Sequence, residues 1–186
     1  MSPRVVIKDL FGKPIRQRRP RYEAALEKAD KASLSRRAMR VRWIAQAIPR
    51  NILMAMPYET MCVFQEAKAS FISGQFVATV VLAASFLEHW FTSNLGSIGF
   101  EREASQGLAA SIDCARKNNL VPSALLDKAD RLRQIRNPFV HLKSFEHEHN
   151  LTRRAFVMRQ HPDQLLERDA QESLTLMYGI TLYAFK

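Results

Sequence analysis

One stretch of this 186-residue chain limits the fold more than any other, namely residues 75–95, which are apolar on nearly every face of a helix. Gly74 stands directly before it and is expected to end a helix predicted over residues 57–73. A helix that is apolar all round has to be contacted by neighbours on several sides. The stretch therefore predicts the central helix of a bundle. Its longest apolar run, residues 76–87, is shorter than the roughly 20 residues that span a bilayer, so we expect no membrane segment.

Apolar residues recur at helical spacing through most of the remaining sequence. Further helices are predicted over residues 21–48, 101–118 and 124–136 and from 162 to about 185. Trp43, in the first of these, is expected to pack against the core. Residues 151–159 are compatible with either a loop or a short strand. The predicted fold class is all-α, with a helical bundle over residues 51–186 and a basic, partly helical N-terminal extension over residues 1–50.

The net charge of +10 lies entirely in that extension. Residues 1–50 contain 14 basic residues (Lys and Arg) and 4 acidic ones (Asp and Glu). Residues 51–186 contain 14 basic and 14 acidic residues, so their charges cancel. Clustered positive charge attracts polyanions with little sequence specificity. We therefore predict that the extension binds RNA, and the residues expected to do so are Arg16, Arg18, Arg19, Arg36, Arg37, Arg40 and Arg42. A solvated tail and a contact with an acidic protein are the alternatives.

Three hydrogen-bonding side chains are concentrated in the segment from Arg136 to His141. Pro138 does not fit the interior of a helix but fits the first turn of a new one. The preceding helix is thus predicted to end at Arg136, with Asn137 near the cap of the next. His141 follows Asn137 by four residues, which puts both on one helix face. A cation, an amide and an imidazole would then meet at a helix N-terminus, which favours anions, so we expect a phosphate-handling site.

The run Arg136-Asn137-x-x-x-His141 resembles the R-N-x-x-x-H signature of HEPN domains. Upstream, residues 74–88 resemble the glycine and the small-residue-rich helix with a late glutamate, here Glu88, in the first half of that fold. The resemblance covers about residues 57–186. It implies that the helices of Glu88 and Arg136 lie side by side, so we expect these two side chains to form an ion pair. The alternative is that Glu88 simply reaches solvent at its helix end.

Proteins of the HEPN family that are enzymes cut RNA without a metal, leaving a 2′,3′-cyclic phosphate and a 5′-hydroxyl. The resemblance implies that His141 is a general base or acid, that Arg136 stabilises the charge on phosphorus, and that Asn137 orients the histidine or the phosphate. It also implies a homodimer with a composite site, a toxin or phage-defence role, and an antitoxin or regulatory protein as a partner. The alternative is a non-catalytic RNA-binding or regulatory module in which Arg136 and His141 only brace a helix junction.

Other signals in the sequence are weaker. The run Glu146-His147-Glu148-His149 resembles a metal-ligand cluster but lacks a fixed ligand spacing, so we predict solvated histidines, no metal and no cofactor. Cys62 and Cys114 are expected to be free thiols in apolar settings. The basic N-terminus lacks the apolar region of an export signal, and a cytoplasmic location is the expectation.

Overall fold

The computed structural model of this protein describes residues 21–48 and 56–183. These residues form eight α-helices and no strand, which confirms the all-α prediction for them. In chain order the helices are α1 (Arg21–Ala47), α2 (Tyr58–Ser73), α3 (Phe76–Ser97), α4 (Glu101–Ala104), α5 (Leu108–Lys117), α6 (Ser123–Val140), α7 (Leu151–Met158) and α8 (Pro162–Ile180).

The apolar helix α3 lies at the centre of the bundle, as the sequence predicts. It contacts α2, α4, α5, α6 and α8. Phe86, Leu87 and Phe91 along it are completely buried and are among the largest side chains of the core. By length and composition α3 is also the one described helix that could cross a bilayer, and 44% of its apolar window is buried within the bundle.

The boundary between two units of the chain falls within α1, directly after Arg36. Before this boundary the described side chains of α1 are exposed, with one half-buried exception. After it, Ile44 is buried and the ring centroid of Trp43 lies 5.1 Å from that of Phe71. The packing role predicted for Trp43 is confirmed, and the core of the bundle takes in this last part of α1 as well as side chains from residues 56–180.

Gly74 ends α2 in the way that its position in the sequence predicts. Its φ of +81° is left-handed, a conformation that costs glycine little and other residues more. The N–H of Gly74 donates to the carbonyl of Phe71 at 3.0 Å, and the N–H of Gln75 donates to that of Ser70 at 2.9 Å. These bonds satisfy carbonyls at the end of α2 and let α3 turn back against it.

Arg40, one of the residues predicted to bind RNA, contacts three other parts of the bundle. Its Nε donates to Glu167 Oε1 at 3.1 Å, its Nη1 donates to the carbonyl of Ile72 at 3.2 Å, and its guanidinium lies 4.9 Å from the ring centre of Phe76. The side chain is only 13% exposed. Arg40 therefore fastens α1 to the α2–α3 corner and to α8, and it offers little charged surface to RNA.

The helices differ from the prediction at four places along the chain. The helix expected over residues 101–118 is divided into α4 and α5, because Gly107 has φ +88° and ψ 177° and cannot continue a helix. Residues 151–158, for which the sequence left a loop or a strand open, form α7. The last helix ends at Ile180 instead of near residue 185. The prediction that α6 ends at Arg136 is also wrong, with consequences for the candidate site.

A buried ion pair between α7 and α8 was not predicted. Arg154 Nη1 and Nη2 each donate to one carboxylate oxygen of Asp169, both at 2.7 Å. The two side chains are 8% and 0% exposed. Two parallel hydrogen bonds of this kind compensate the loss of hydration of both charges. The pair thereby holds the short helix α7 on α8.

Candidate functional site

α6 continues through Pro138 and ends only at Val140, so the predicted helix start at Pro138 is wrong. Pro138 lies within the last turn, where the helix has few further hydrogen bonds to lose. Ile135 before it is buried, and Phe139 after it packs partly buried against the core. The burial of these two side chains favours one continuous helix over a break at the proline.

This continuity changes the position of Asn137 and His141. Asn137 is not a helix cap, since its carbonyl lies in the last turn and accepts the N–H of His141 at 2.8 Å. His141 has φ −128° and ψ 122°, which ends α6 in an extended conformation. Residues 142–145, where a helix beginning at Pro138 would continue, are not helical. The motif therefore stands at a helix C-terminus, whose dipole disfavours an anion, instead of at the predicted N-terminus.

The predicted pair between Arg136 and Glu88 is present. Arg136 Nη2 lies 3.5 Å from Glu88 Oε2, at the outer limit of a hydrogen bond, and the two side chains are 17% and 39% exposed. A guanidinium has five N–H donors, and within the described part of the chain this contact is the one that Arg136 makes. Most of its hydrogen-bonding capacity thus stays available to a ligand.

Glu88 also lies beside the glycine that separates α4 from α5. A Cβ atom added to Gly107 would stand 3.6 Å from Glu88 Oε1. The carboxylate is therefore placed between α6 and the turn before α5. Its position depends on three elements that are far apart in the sequence.

His141 and Asn137 are less constrained than Arg136. The side chain of His141 is exposed, and that of Asn137 is half-buried. Neither side chain has a hydrogen-bond or ion-pair partner among residues 21–48 and 56–183. The imidazole is consequently open to solvent and unoriented by its own surroundings, one helical turn beyond the amide.

The basic residues predicted to bind RNA fall into different environments. Arg16, Arg18 and Arg19 lie outside the described residues. Arg36 and Arg42 are exposed, and Arg37 is half-buried. Arg40 packs within the bundle. Of the four arginines on α1 that were predicted to bind RNA, Arg36 and Arg42 are therefore the exposed ones.

The loop after α6 holds two histidines that the sequence analysis did not assign to the site. The ring centroids of His147 and His149 are 5.6 Å apart, and His147 Nδ1 accepts the N–H of His149 at 3.3 Å. Burial lowers the pKa of His149; Glu148 opposes this effect, while His147, Arg154 and Arg131 add to it. The alternation of Glu and His in residues 146–149 was the sequence signal that could have identified this histidine pair. In the described ranges, no three metal-binding side chains are grouped so as to hold an ion.

The cation of Arg136 and the amide of Asn137 lie near the end of α6, and the imidazole of His141 belongs to the residue directly after the helix. The cation has free donors, and an imidazole nitrogen can accept or donate a proton. These are groups that can bind a phosphodiester and transfer a proton. No protein-family model, curated protein or solved structure matches this chain.

Proposed function

We propose that this protein is a metal-independent endoribonuclease with a HEPN-like bundle, in which Arg136, Asn137 and His141 act on the RNA phosphodiester and Glu88 positions Arg136. The observation that supports the proposal is the loose contact of Arg136 with Glu88 beside an exposed His141. A guanidinium that contacts a carboxylate through one nitrogen has further N–H groups that can donate to phosphate oxygens.

In the proposed reaction the ribose 2′-oxygen attacks the adjacent phosphorus while an imidazole takes the 2′-hydroxyl proton. The bond from phosphorus to the 5′-oxygen breaks, and a second acid protonates that leaving oxygen. Arg136 stabilises the charge that develops on the phosphoryl oxygens, and Asn137 orients the phosphate or the histidine. The products are a 2′,3′-cyclic phosphate and a 5′-hydroxyl, and a DNA strand is inert because it lacks the 2′-hydroxyl.

The reaction requires both a base and an acid, whereas one copy of the motif contains one imidazole. In our proposal a second copy of the chain contributes its own His141 across a homodimer interface. The exposed apolar side chains of Val140, Leu142 and Phe145 next to His141 support this arrangement. Apolar side chains around a polar centre are typical of surfaces that become covered by a partner.

The basic extension is proposed to gather RNA for this site. Arg36 and Arg42 support the proposal because their charges are exposed on α1. Such contacts are electrostatic, so affinity for RNA should fall steeply with salt. A cytoplasmic toxin or phage-defence role, with an antitoxin or regulatory protein that controls it, is the cellular setting we propose.

A non-catalytic RNA-binding or regulatory module is the second candidate. Two observations favour it: Glu88 already compensates part of the charge of Arg136, and the motif stands at the C-terminal end of α6. A helix C-terminus offers carbonyl oxygens rather than N–H donors to a phosphate. In this reading the protein binds RNA and releases it uncut.

The test is to incubate the full chain with labelled RNA in EDTA, beside His141→Ala and a matched histidine variant, His161→Asn. His161 is exposed and caps α8 by accepting the N–H of Asp163 at 3.2 Å, a role that asparagine also fills. We expect cyclic-phosphate products from the wild type and His161→Asn, and a loss of at least about 100-fold in rate for His141→Ala.

Uncut RNA with all three proteins, bound in a salt-dependent manner, would support the non-catalytic module instead. Cleavage that His141→Ala leaves unchanged would contradict the proposed role of His141. A strand with a single 2′-deoxy position at the cleaved linkage is the substrate control, since it binds but should not be cut.

A further inference from the structure

A cavity of about 700 Å³ opens between α6, α8 and the last part of α1. Leu125, Leu132 and Ile135 of α6 form one apolar side, and Leu176 of α8 and the indole of Trp43 form another. Its volume is in the range of sites for small organic molecules. Because Arg136, Asn137 and His141 do not line it, the cavity is separate from the proposed ribonuclease site.

The remaining wall of the cavity carries more positive than negative charge. Lys128, Arg131 and Arg168 all line it. The acidic residues of this wall are Glu172 and Asp169. Glu172 Oε2 lies 3.7 Å from Arg131 Nε, and Asp169 is already neutralised by Arg154. The cavity thus combines an apolar side with unneutralised cations.

Arg168 supplies the strongest sign of a missing partner. Its Nε is buried and has no hydrogen-bond acceptor among the described residues. Within residues 21–48 and 56–183 its Nη2 contacts only the sulfur of Met158, at 3.5 Å, and a thioether is a weak acceptor. The guanidinium of Arg168 is thus only weakly paired, so an anion in the cavity that contacts its accessible part would be stabilised by the charge.

We propose that this cavity binds a small organic anion with an apolar body. Its carboxylate, sulfonate or phosphate group contacts Arg168 and Lys128. Its body packs against Trp43, Leu132 and Leu176. The charges select for an anion, and the apolar side selects against small inorganic ions, which bury no apolar surface.

The probe for this site is 8-anilinonaphthalene-1-sulfonate, which joins an aromatic body to one sulfonate, with binding measured by fluorescence and by calorimetry on the full chain. Gly179→Leu is designed to fill the cavity, because Gly179 lines it and an added Cβ meets no atom within 4 Å. Gly96→Leu is the matched control, since Gly96 also lies in the last turn of a helix and has the same open space. We expect one probe per chain, and at least about tenfold weaker binding for Gly179→Leu alone.

Two charge variants test the anion contact. Lys128 is exposed, so Lys128→Gln should leave the fold unchanged, and Arg168→Gln removes a half-buried guanidinium. Each should weaken the probe by about tenfold, the loss expected for one charge-assisted hydrogen bond, while binding of neutral N-phenyl-1-naphthylamine stays the same in both.

Equal affinity of the probe for Gly179→Leu and Gly96→Leu would overturn the proposal, since the probe would then be bound on exposed apolar surface elsewhere. Unchanged binding by Lys128→Gln and Arg168→Gln would overturn the choice of an anion. Thermal unfolding of each variant, compared with the wild type, shows whether a loss of binding reflects the cavity or a loss of fold, and Lys128→Gln decides the question if Arg168→Gln does not fold.

Discussion

Among the arginine–carboxylate pairs that join helices in this bundle, two differ sharply in geometry and in burial. Arg154 and Asp169 are bidentate at 2.7 Å, and the two side chains are 8% and 0% exposed. Arg136 and Glu88 share one contact of 3.5 Å and are 17% and 39% exposed. The first pair is a closed unit whose donors face one carboxylate. The second leaves donors and acceptors free at a surface.

The comparison separates a pair that stabilises the fold from one that can serve a ligand. A buried charge that loses its partner is strongly destabilising, whereas an exposed one is rehydrated by water. The closed pair therefore cannot exchange partners without unfolding α7 from α8. The open pair at Glu88 can exchange its carboxylate for a phosphate at small cost, which is what the proposed function requires.

The largest effect is expected for Asp169→Asn, which keeps the side-chain volume but removes the charge opposite Arg154. Breaking a buried pair in this way should lower the free energy of unfolding by about 3–5 kcal/mol. Urea unfolding followed by circular dichroism measures it. The double variant Arg154→Met/Asp169→Leu is the control and should recover much of the loss, because no buried charge remains. A loss below about 1 kcal/mol for Asp169→Asn would contradict a closed structural pair.

A smaller effect is expected for Gly107→Ala, which disturbs the turn beside Glu88. The backbone of Gly107, with φ +88° and ψ 177°, is in a region used almost only by glycine. Alanine there should cost about 1–3 kcal/mol of unfolding free energy. The matched variant Gly96→Ala lies in an ordinary helical position and should instead be neutral or stabilising. Equal effects of the two substitutions in urea unfolding would exclude backbone strain at Gly107 as the cause.

Glu88→Gln is the same chemical change as Asp169→Asn, applied to the open pair. We expect it to change the free energy of unfolding by less than about 1 kcal/mol, since water replaces the lost contact. Affinity for RNA should rise severalfold, because the charge of Arg136 is no longer compensated. Filter binding over a series of salt concentrations measures it. If Glu88→Gln destabilised the protein as strongly as Asp169→Asn, the distinction between the two pairs would fail.

The smallest effect concerns His149, whose imidazole lies near Arg154 of the closed pair. Burial lowers the pKa of His149, so the unfolded chain takes up a proton at higher pH than the folded chain does. The resulting stability is present above about pH 6.5 and is lost as the pH falls through the lowered pKa. His149→Gln should make the free energy of unfolding less dependent on pH in this range, while the exposed His161→Asn should not. Parallel slopes for all three proteins in urea unfolding would contradict the effect of burial.

Much of the helical architecture could be predicted from local patterns. The apolar run of α3 and the glycine at 74 each act within a few residues, and both predictions are confirmed. Pro138 was misjudged because its local preference for a helix start is outweighed by the burial of Ile135 and Phe139 on either side. The candidate site lies at the end of α6 because of that packing. The local preference of proline alone does not predict this position.

Contacts between side chains that are far apart in the sequence were likewise predictable in one case and not in another. The contact of Glu88 with Arg136 was predictable through the resemblance to HEPN domains. Arg40 was assigned to RNA by its place in a basic segment, although its partner Glu167 lies on the last helix of the bundle. Which arginine is free and which is held depends on neighbours that the chain supplies far away.

The sequence by itself determined the helical class, the central place of α3, the basic character of the N-terminal segment and the chemistry available at residues 136–141. Those properties follow from side-chain type and from periodicity along the chain. The tertiary structure alone decided that α6 passes through Pro138, that Arg154 meets Asp169, and that a cavity lined by Lys128, Arg131 and Arg168 opens beside α6. Burial and charge compensation are sums over neighbours in space, so they become defined only when the helices are packed.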